Sequence, residues 1–143
     1  MRKFIVTVAV IAALYVGLGQ INAPHGLIGV STSTNEAVAS AFREQKSGVQ
    51  VEGEGVVAKV LSDDTDGSRH QRFILRLPSG QTLLVAHNID IAPRLTSLES
   101  GDSVEFKGVY EWNSQGGVVH WTHRDPSGEH QAGWLKHNGE TYQ

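Results

Sequence analysis

The sequence predicts a mainly β fold: five strands that close a small barrel, preceded by a short helix and an N-terminal signal or anchor segment. Three observations carry this. After Gly48 the hydrophobic period changes to two, the repeat of a strand with one buried face. Turn signals at Asp66-Gly67, Pro78-Ser79-Gly80, Gly101-Asp102 and Gly116-Gly117 then separate the apolar runs. Sixteen glycines against four prolines in 143 residues suit a turn-rich chain of one domain.

Taken in order, Arg2 and Lys3 form a short positive region before an uncharged apolar run, residues 4–19. This is the pattern of an export signal. Small residues stand at Gly17 and Gly19; a cut after Ala23 would place Pro24 next. Residues 1–23 are therefore expected to be a signal peptide or a membrane anchor. The rest would lie outside the cytoplasm: periplasmic, secreted or anchored. Losing Arg2 and Lys3 with that segment would take the net charge from −3 to −5. Residues 24–48 read as a linker and short helix. Thr34 or Asn35 caps it, Glu36 sits in the first turn, and Ala37, Val38, Ala41 and Phe42 form the apolar stripe. Ser47-Gly48 is expected to end it.

Residues 49–143 are the expected barrel domain with a polar C-terminal tail. The first strand runs over 49–61, with Gly53 and Gly55 marking a bulge or coil. A polar turn leads to a second strand over 69–77. There His70, Arg72, Ile74 and Arg76 share one face, and Gln71, Phe73, Leu75 and Leu77 the other. The third strand, 81–86, makes a hairpin with it. A longer connection over 87–100 is interrupted by Pro93, with a helical turn expected over 94–98. The fourth strand spans 103–111, kinked at Gly108, and the fifth 118–123. In the fifth, alternation would send His120 and Thr122 one way and Trp121 and His123 the other. A long coiled strand, a hairpin, a connection and a second hairpin is the layout of the five-stranded OB-like barrel that binds oligonucleotides or oligosaccharides. A small open barrel or a roll fits the same strand count.

The phrases RHQRFIL (69–75), LLVAHNID (83–90) followed by Ala92-Pro93-Arg94, GVYEWN (108–113), GGVVHWTHRDP (116–126) and Gly133-Trp134 resemble one bacterial family. It is catalogued as domain of unknown function 3465, small proteins with an N-terminal export signal. The resemblance spans residue 49 to the C-terminus and implies that these residues belong to one domain. It brings no activity, substrate or catalytic residue with it.

Composition excludes several chemistries. There is no cysteine, hence no disulfide, thiolate zinc site or cysteine nucleophile. The acidic balance argues against non-specific DNA binding. No GxSxG or HExxH phrase occurs, nor the βαβ pattern with a phosphate loop.

Four groups of residues can carry chemistry. His70, His87, His120 and His123 fall near strand ends, and imidazole both ligates metals and moves protons near neutral pH. With Asp64 or Asp125 they would suit a divalent transition metal such as zinc, manganese or nickel; the plainer alternative is imidazoles hydrogen-bonded to loop backbone. Asp63, Asp64 and Asp66 begin like a calcium loop but lack its later bidentate carboxylate, so an ordinary Asp-Gly turn is expected. Arg69, Arg72 and Arg76, with Lys59 and Arg94, would fork onto phosphate or carboxylate, while Trp112 and Trp121 offer stacking surfaces. Asn88 beside His87 would orient a ligand or an imidazole.

Three functions follow as expectations. The first is an exported binding module for single-stranded nucleic acid, a glycan or a small anion. The second is a metal-dependent phosphodiesterase or nuclease in which His70, His120 and His123 are the catalytic candidates. The third is a structural interaction domain of the cell envelope, touching the membrane only through residues 1–23.

Overall fold

A computed structural model of the chain describes residues 35–143; the expected signal or anchor over 1–23 and the linker up to residue 34 lie outside them. The elements are α1 (Glu36–Arg43), β1 (Val49–Val60), β2 (His70–Arg76), β3 (Thr82–Asn88), β4 (Ser103–Glu111), β5 (Val118–His120), β6 (Trp134–His137) and β7 (Glu140–Tyr142).

The length of β1 closes the barrel. Its first part pairs antiparallel with β4, from Val49 opposite Tyr110 to Val56 opposite Ser103. Its last part pairs with β2, from Val56 opposite Arg76 to Val60 opposite Phe73. The hairpin of β2 and β3 follows, β3 runs parallel to β5, and β5 returns antiparallel to β4. The circuit β1-β2-β3-β5-β4 is thus complete, an OB-like five-stranded barrel. The bulge lies at Ala58, where Val57 faces Leu75 but Lys59 faces Ile74. It sits beyond the two strand glycines, which have another task. A side chain at Gly53 would come within 2.6 Å of the Phe106 ring, so glycine lets that ring fill the interior.

Period-two alternation decides what lies inside. Val51 and Val57 of β1, Phe73 and Leu75 of β2, Leu83 and Val85 of β3, Val104, Phe106 and Tyr110 of β4, and Val119 of β5 form one buried core. Full burial of each aliphatic or phenyl side chain contributes about 1.5–3 kcal/mol. Gln71 also points inward; its amide donates to Leu95 O at 3.0 Å and accepts Leu95 N–H at 2.9 Å. That two-way bond holds the β3–β4 connection over the core, where Leu95 is buried and Leu98 packs against it. The connection is irregular, with Ser97 at φ 55°, and the helical turn expected over 94–98 does not form.

α1 adds Val38 and Ala41 to the same core, and Phe42 packs against it, whereas Ala37 is exposed. Asn35 makes no capping bond within the helix; its Oδ1 instead accepts Glu54 N–H at 2.9 Å, tying the helix start to β1. The helix stops before Ser47-Gly48. Gln45 takes a left-handed φ of 52°, Gln45 N–H bonds Phe42 O, and Lys46 N–H bonds Ala41 O. These are the two closing bonds of a Schellman cap.

Two corrections concern the C-terminal third. The fifth strand ends at His120 because Trp121 turns left-handed at φ 55°. Alternation is therefore broken, and Thr122 and His123 are both buried. The edge of β4 explains why: its residues 109–111 pair with β5, while 105–107 pair with β6, so the chain must leave β4 between them. The expected polar tail is the β6–β7 hairpin. Leu135 of β6 lies opposite Phe106 and is fully buried, and Tyr142 of β7 joins the core. Its turn is Asn138-Gly139, both at positive φ, the two-residue loop that matches strand twist.

Candidate ligand-binding face and the histidines of the rim

The outer face of the barrel follows from the same alternation. With Phe73 and Leu75 inside, His70, Arg72, Ile74 and Arg76 face out. Register joins them into rows: Val56, Arg76 and Thr82; Lys59, Ile74, Leu84 and Val118; Arg72 and Ala86; His70 and Asn88. Three permanent cations thus surround a half-buried aliphatic strip of Ile74, Leu84 and Val118. No carboxylate stands in these rows. Glu111 of β4 borders them beyond Val118, its Oε1 3.3 Å from His120 Nε2.

The other expected cations are engaged in fixing loops. Arg69 Nε donates to Asp90 Oδ1 at 2.8 Å, and its backbone N–H to Oδ2 at 2.9 Å. These bonds hold the Asp90 carboxyl below its usual range. Arg94 pairs with Asp63 and links the β1–β2 loop to the β3–β4 connection. Arg72, one of the three cations of the face, also donates its Nε–H to Ser62 O at 3.0 Å, in the loop after β1. Asn88 Oδ1 accepts Asp90 N–H at 3.0 Å and so shapes the connection after β3.

The histidines have separate environments. His87 follows Leu83 and Val85 on the inner face of β3 and is fully buried. Pro93 O, 2.9 Å from Nε2, can only accept, so Nε2 carries the proton. Nδ1 then accepts the Thr122 hydroxyl at 2.7 Å. Burial, above all, pushes the pKa down to about 4, with His123 and His70 adding to it. At neutral pH this is a neutral imidazole with both nitrogens hydrogen-bonded within the fold.

His123 is buried and donates Nδ1–H to Arg124 O at 2.7 Å. His70 donates Nδ1–H to Ser68 O at 2.8 Å, while its backbone pairs with Asp64 in an isolated bridge. Among the described residues no three His, Asp or Glu side chains gather around a point where a metal ion could sit. The carboxylates expected to complete such a site are occupied locally. Asp64 Oδ1 accepts Asp66 N–H, and Asp125 accepts the backbone N–H groups of Ser127, Glu129 and His130. Those bonds keep Asp125 below the usual carboxylate range.

The two tryptophans are placed apart from the arginine rows. Trp112 packs against the core. Trp121 lies in the β5–β6 connection, stacked on His130 at 4.2 Å between ring centroids and tilted against His123 at 5.2 Å. The apolar half of the candidate face, Leu84 and Val118, was not singled out from sequence. Period-two alternation on β3 and β5 was the signal for it. Thr122 as the partner of His87 carried no sequence signal.

No curated protein matches this chain. Residues 25–143 match the model of the family described as Protein of unknown function (DUF3465), and the chain belongs to that family.

Proposed function

We propose that this protein is a binding module that takes an anionic ligand on the outer face of β2 and β3. The observation that carries the reading is the gathering of Lys59, Arg72 and Arg76 around Ile74, Leu84 and Val118, on a chain of net charge −3. Guanidinium groups fork onto phosphate, sulfate or carboxylate oxygens, and the aliphatic strip receives the less polar part of the ligand. No Trp, Tyr or Phe of the described residues stands in these rows, which favours contact with the charged backbone of a polymer over base stacking. A single-stranded oligonucleotide and an anionic glycan both fit. The export expected from residues 1–23 belongs to the same proposal and would favour ligands of the envelope.

The test is anisotropy with a labelled oligothymidylate and with a uronate or sulfated oligosaccharide, at low and moderate salt. At least one should bind, more weakly as salt rises. Arg72→Ala and Arg76→Ala should each weaken binding about tenfold, the loss of one charge-assisted hydrogen bond, with unfolding transitions preserved. Undiminished affinity in the double variant would overturn the assignment of this face.

A further inference from the structure

The outer face of β2 and β3 continues onto β5. Alternation turns Val118 and His120 outward, with Val119 buried between them. β3 and β5 run parallel, Leu84 opposite Val118 and Val85 opposite Val119. The same register carried one residue further sets His120 beside Ala86, and Ala86 stands opposite Arg72. Arg72 and His120 therefore lie two strands apart, about 10 Å between backbones, across a side chain that is only a methyl group.

The partner of His120 is the second observation. Its Nε2 lies 3.3 Å from Glu111 Oε1, and the two side chains are 34% and 44% exposed. Glu111 stands opposite Val118, at the end of the row that holds Lys59 and the aliphatic strip. Among the described residues it forms no other ion pair. With His120 neutral, Glu111 is an uncompensated carboxylate at the border of a cationic face, and it repels an anion placed there. With His120 protonated, the pair sums to zero. One proton thus changes the charge beside the ligand by a full unit, whichever ring nitrogen receives it.

The other groups around His120 do not offset this change. Val109 of β4 lies directly opposite it, and Gln50 of β1, beyond Val109, is uncharged. Lys107 is two residues further along β4, and Arg72 lies across Ala86. In the β5–β6 connection His123 is buried and His130 stacks on Trp121. Carboxylates, lysines and arginines at their ordinary values keep one charge between pH 5 and 8, where imidazole titrates. His87, on the inner face of β3, is neutral through most of that range. His70, whose Nδ1 bonds Ser68 O, is the other imidazole in the rows of the face.

Resting on the reading of β2 and β3 as an anion-binding face, we infer that His120 and Glu111 gate it by pH: the ligand is held more tightly once His120 takes up a proton. By reciprocity, a bound anion favours the protonated ring.

The experiment measures anisotropy of the labelled oligothymidylate and the sulfated oligosaccharide at pH 8 and pH 5.5 at constant ionic strength; phosphodiester and sulfate stay ionised at both. Binding should be about fivefold tighter at pH 5.5, the effect of one surface charge within about 10 Å. His120→Gln should remove most of that gain, with its unfolding transition preserved, and His70→Gln should keep it. Glu111→Gln should tighten binding about fivefold at pH 8, since the repelling carboxylate is gone. Followed by NMR, the His120 ring should titrate at higher pH with the probe bound than without it. Equal affinity of the parent at the two pH values, a full gain in His120→Gln, or unchanged affinity of Glu111→Gln at pH 8 would overturn the inference and leave the arginine face standing. Absence of binding by the parent at both pH values would overturn the face itself, and the gate with it.

Discussion

The rim around His87 and the β6–β7 hairpin around His137 each bury an imidazole, and they accommodate it differently. At the rim both nitrogens are used. Pro93 O accepts a hydrogen bond from Nε2–H and Nδ1 accepts one from the Thr122 hydroxyl, so β3, the β3–β4 connection and the segment after β5 meet on a single ring. At the hairpin, His137 Nε2 bonds Asp102 Oδ2 at 2.8 Å and Nδ1 has no hydrogen-bond partner. A ring bonded on both sides ties segments together and stays neutral. A ring bonded on one side anchors a single neighbour. The first joins three segments, and the second joins the hairpin to the start of β4.

The largest test of that contrast is His87→Ala. It removes a fully buried ring and leaves Pro93 O and the Thr122 hydroxyl unpaired. A loss of about 3 kcal/mol or more is expected from the cavity and the orphaned groups together. Urea unfolding measures it. A loss below about 1 kcal/mol would mean that the rim closes without the ring.

The pH dependence sharpens the same point. Folding lowers the His87 pKa from 6.5 to about 4, mainly by burial. Between those values the unfolded chain holds a proton that the folded chain does not, so stability rises with pH. The contribution is fully present above pH 6.5 and is lost as pH falls towards 4, by about 3 kcal/mol in all. Asp90, Asp102 and Asp125, whose pKa values are lowered from 3.8, lose their contributions only at lower pH, which separates the two windows. His87→Gln keeps a hydrogen-bonding side chain but cannot titrate. Unfolding free energy followed from pH 7.5 to 4.5 should therefore be flatter in the variant than in the parent. Equal slopes would remove His87 from the account.

Much of the barrel was legible because alternation is a direct consequence of strand geometry. The inward set Gln71, Phe73 and Leu75 and the outward set His70, Arg72, Ile74 and Arg76 came from period two alone. His87 was legible in the same way, two residues beyond Val85. Reading the strand as ended at Ala86 hid it. The β6–β7 hairpin was legible too, since Asn138-Gly139 between short polar-apolar runs is a strong turn signal; the polar tail concealed the pairing of Leu135 with Phe106. The left-handed turn at Trp121 was not legible. It arises from β5 and β6 sharing one edge of β4, a tertiary fact that local sequence does not carry. The partners of Arg69, Arg72 and Arg94 depended on loop paths in the same way, so the cations were found but not their engagements.

The smallest effect tests whether the hairpin, whose Leu135 and Tyr142 join the core, can nonetheless open before the barrel does. Gly139 has φ 77°, and a side chain there would meet no atom within 4 Å. The cost of Gly139→Ala is then that of the backbone alone, about 1 kcal/mol. Because the β6–β7 turn touches neither His87 nor Thr122, the loss should fall on hydrogen exchange of β6 and β7 amides and leave those of β2 and β3 protected. If exchange quickens equally in β2 and β3, the hairpin unfolds with the barrel as one unit. The two imidazoles would then report on a single cooperative structure rather than on a rim and a separable hairpin.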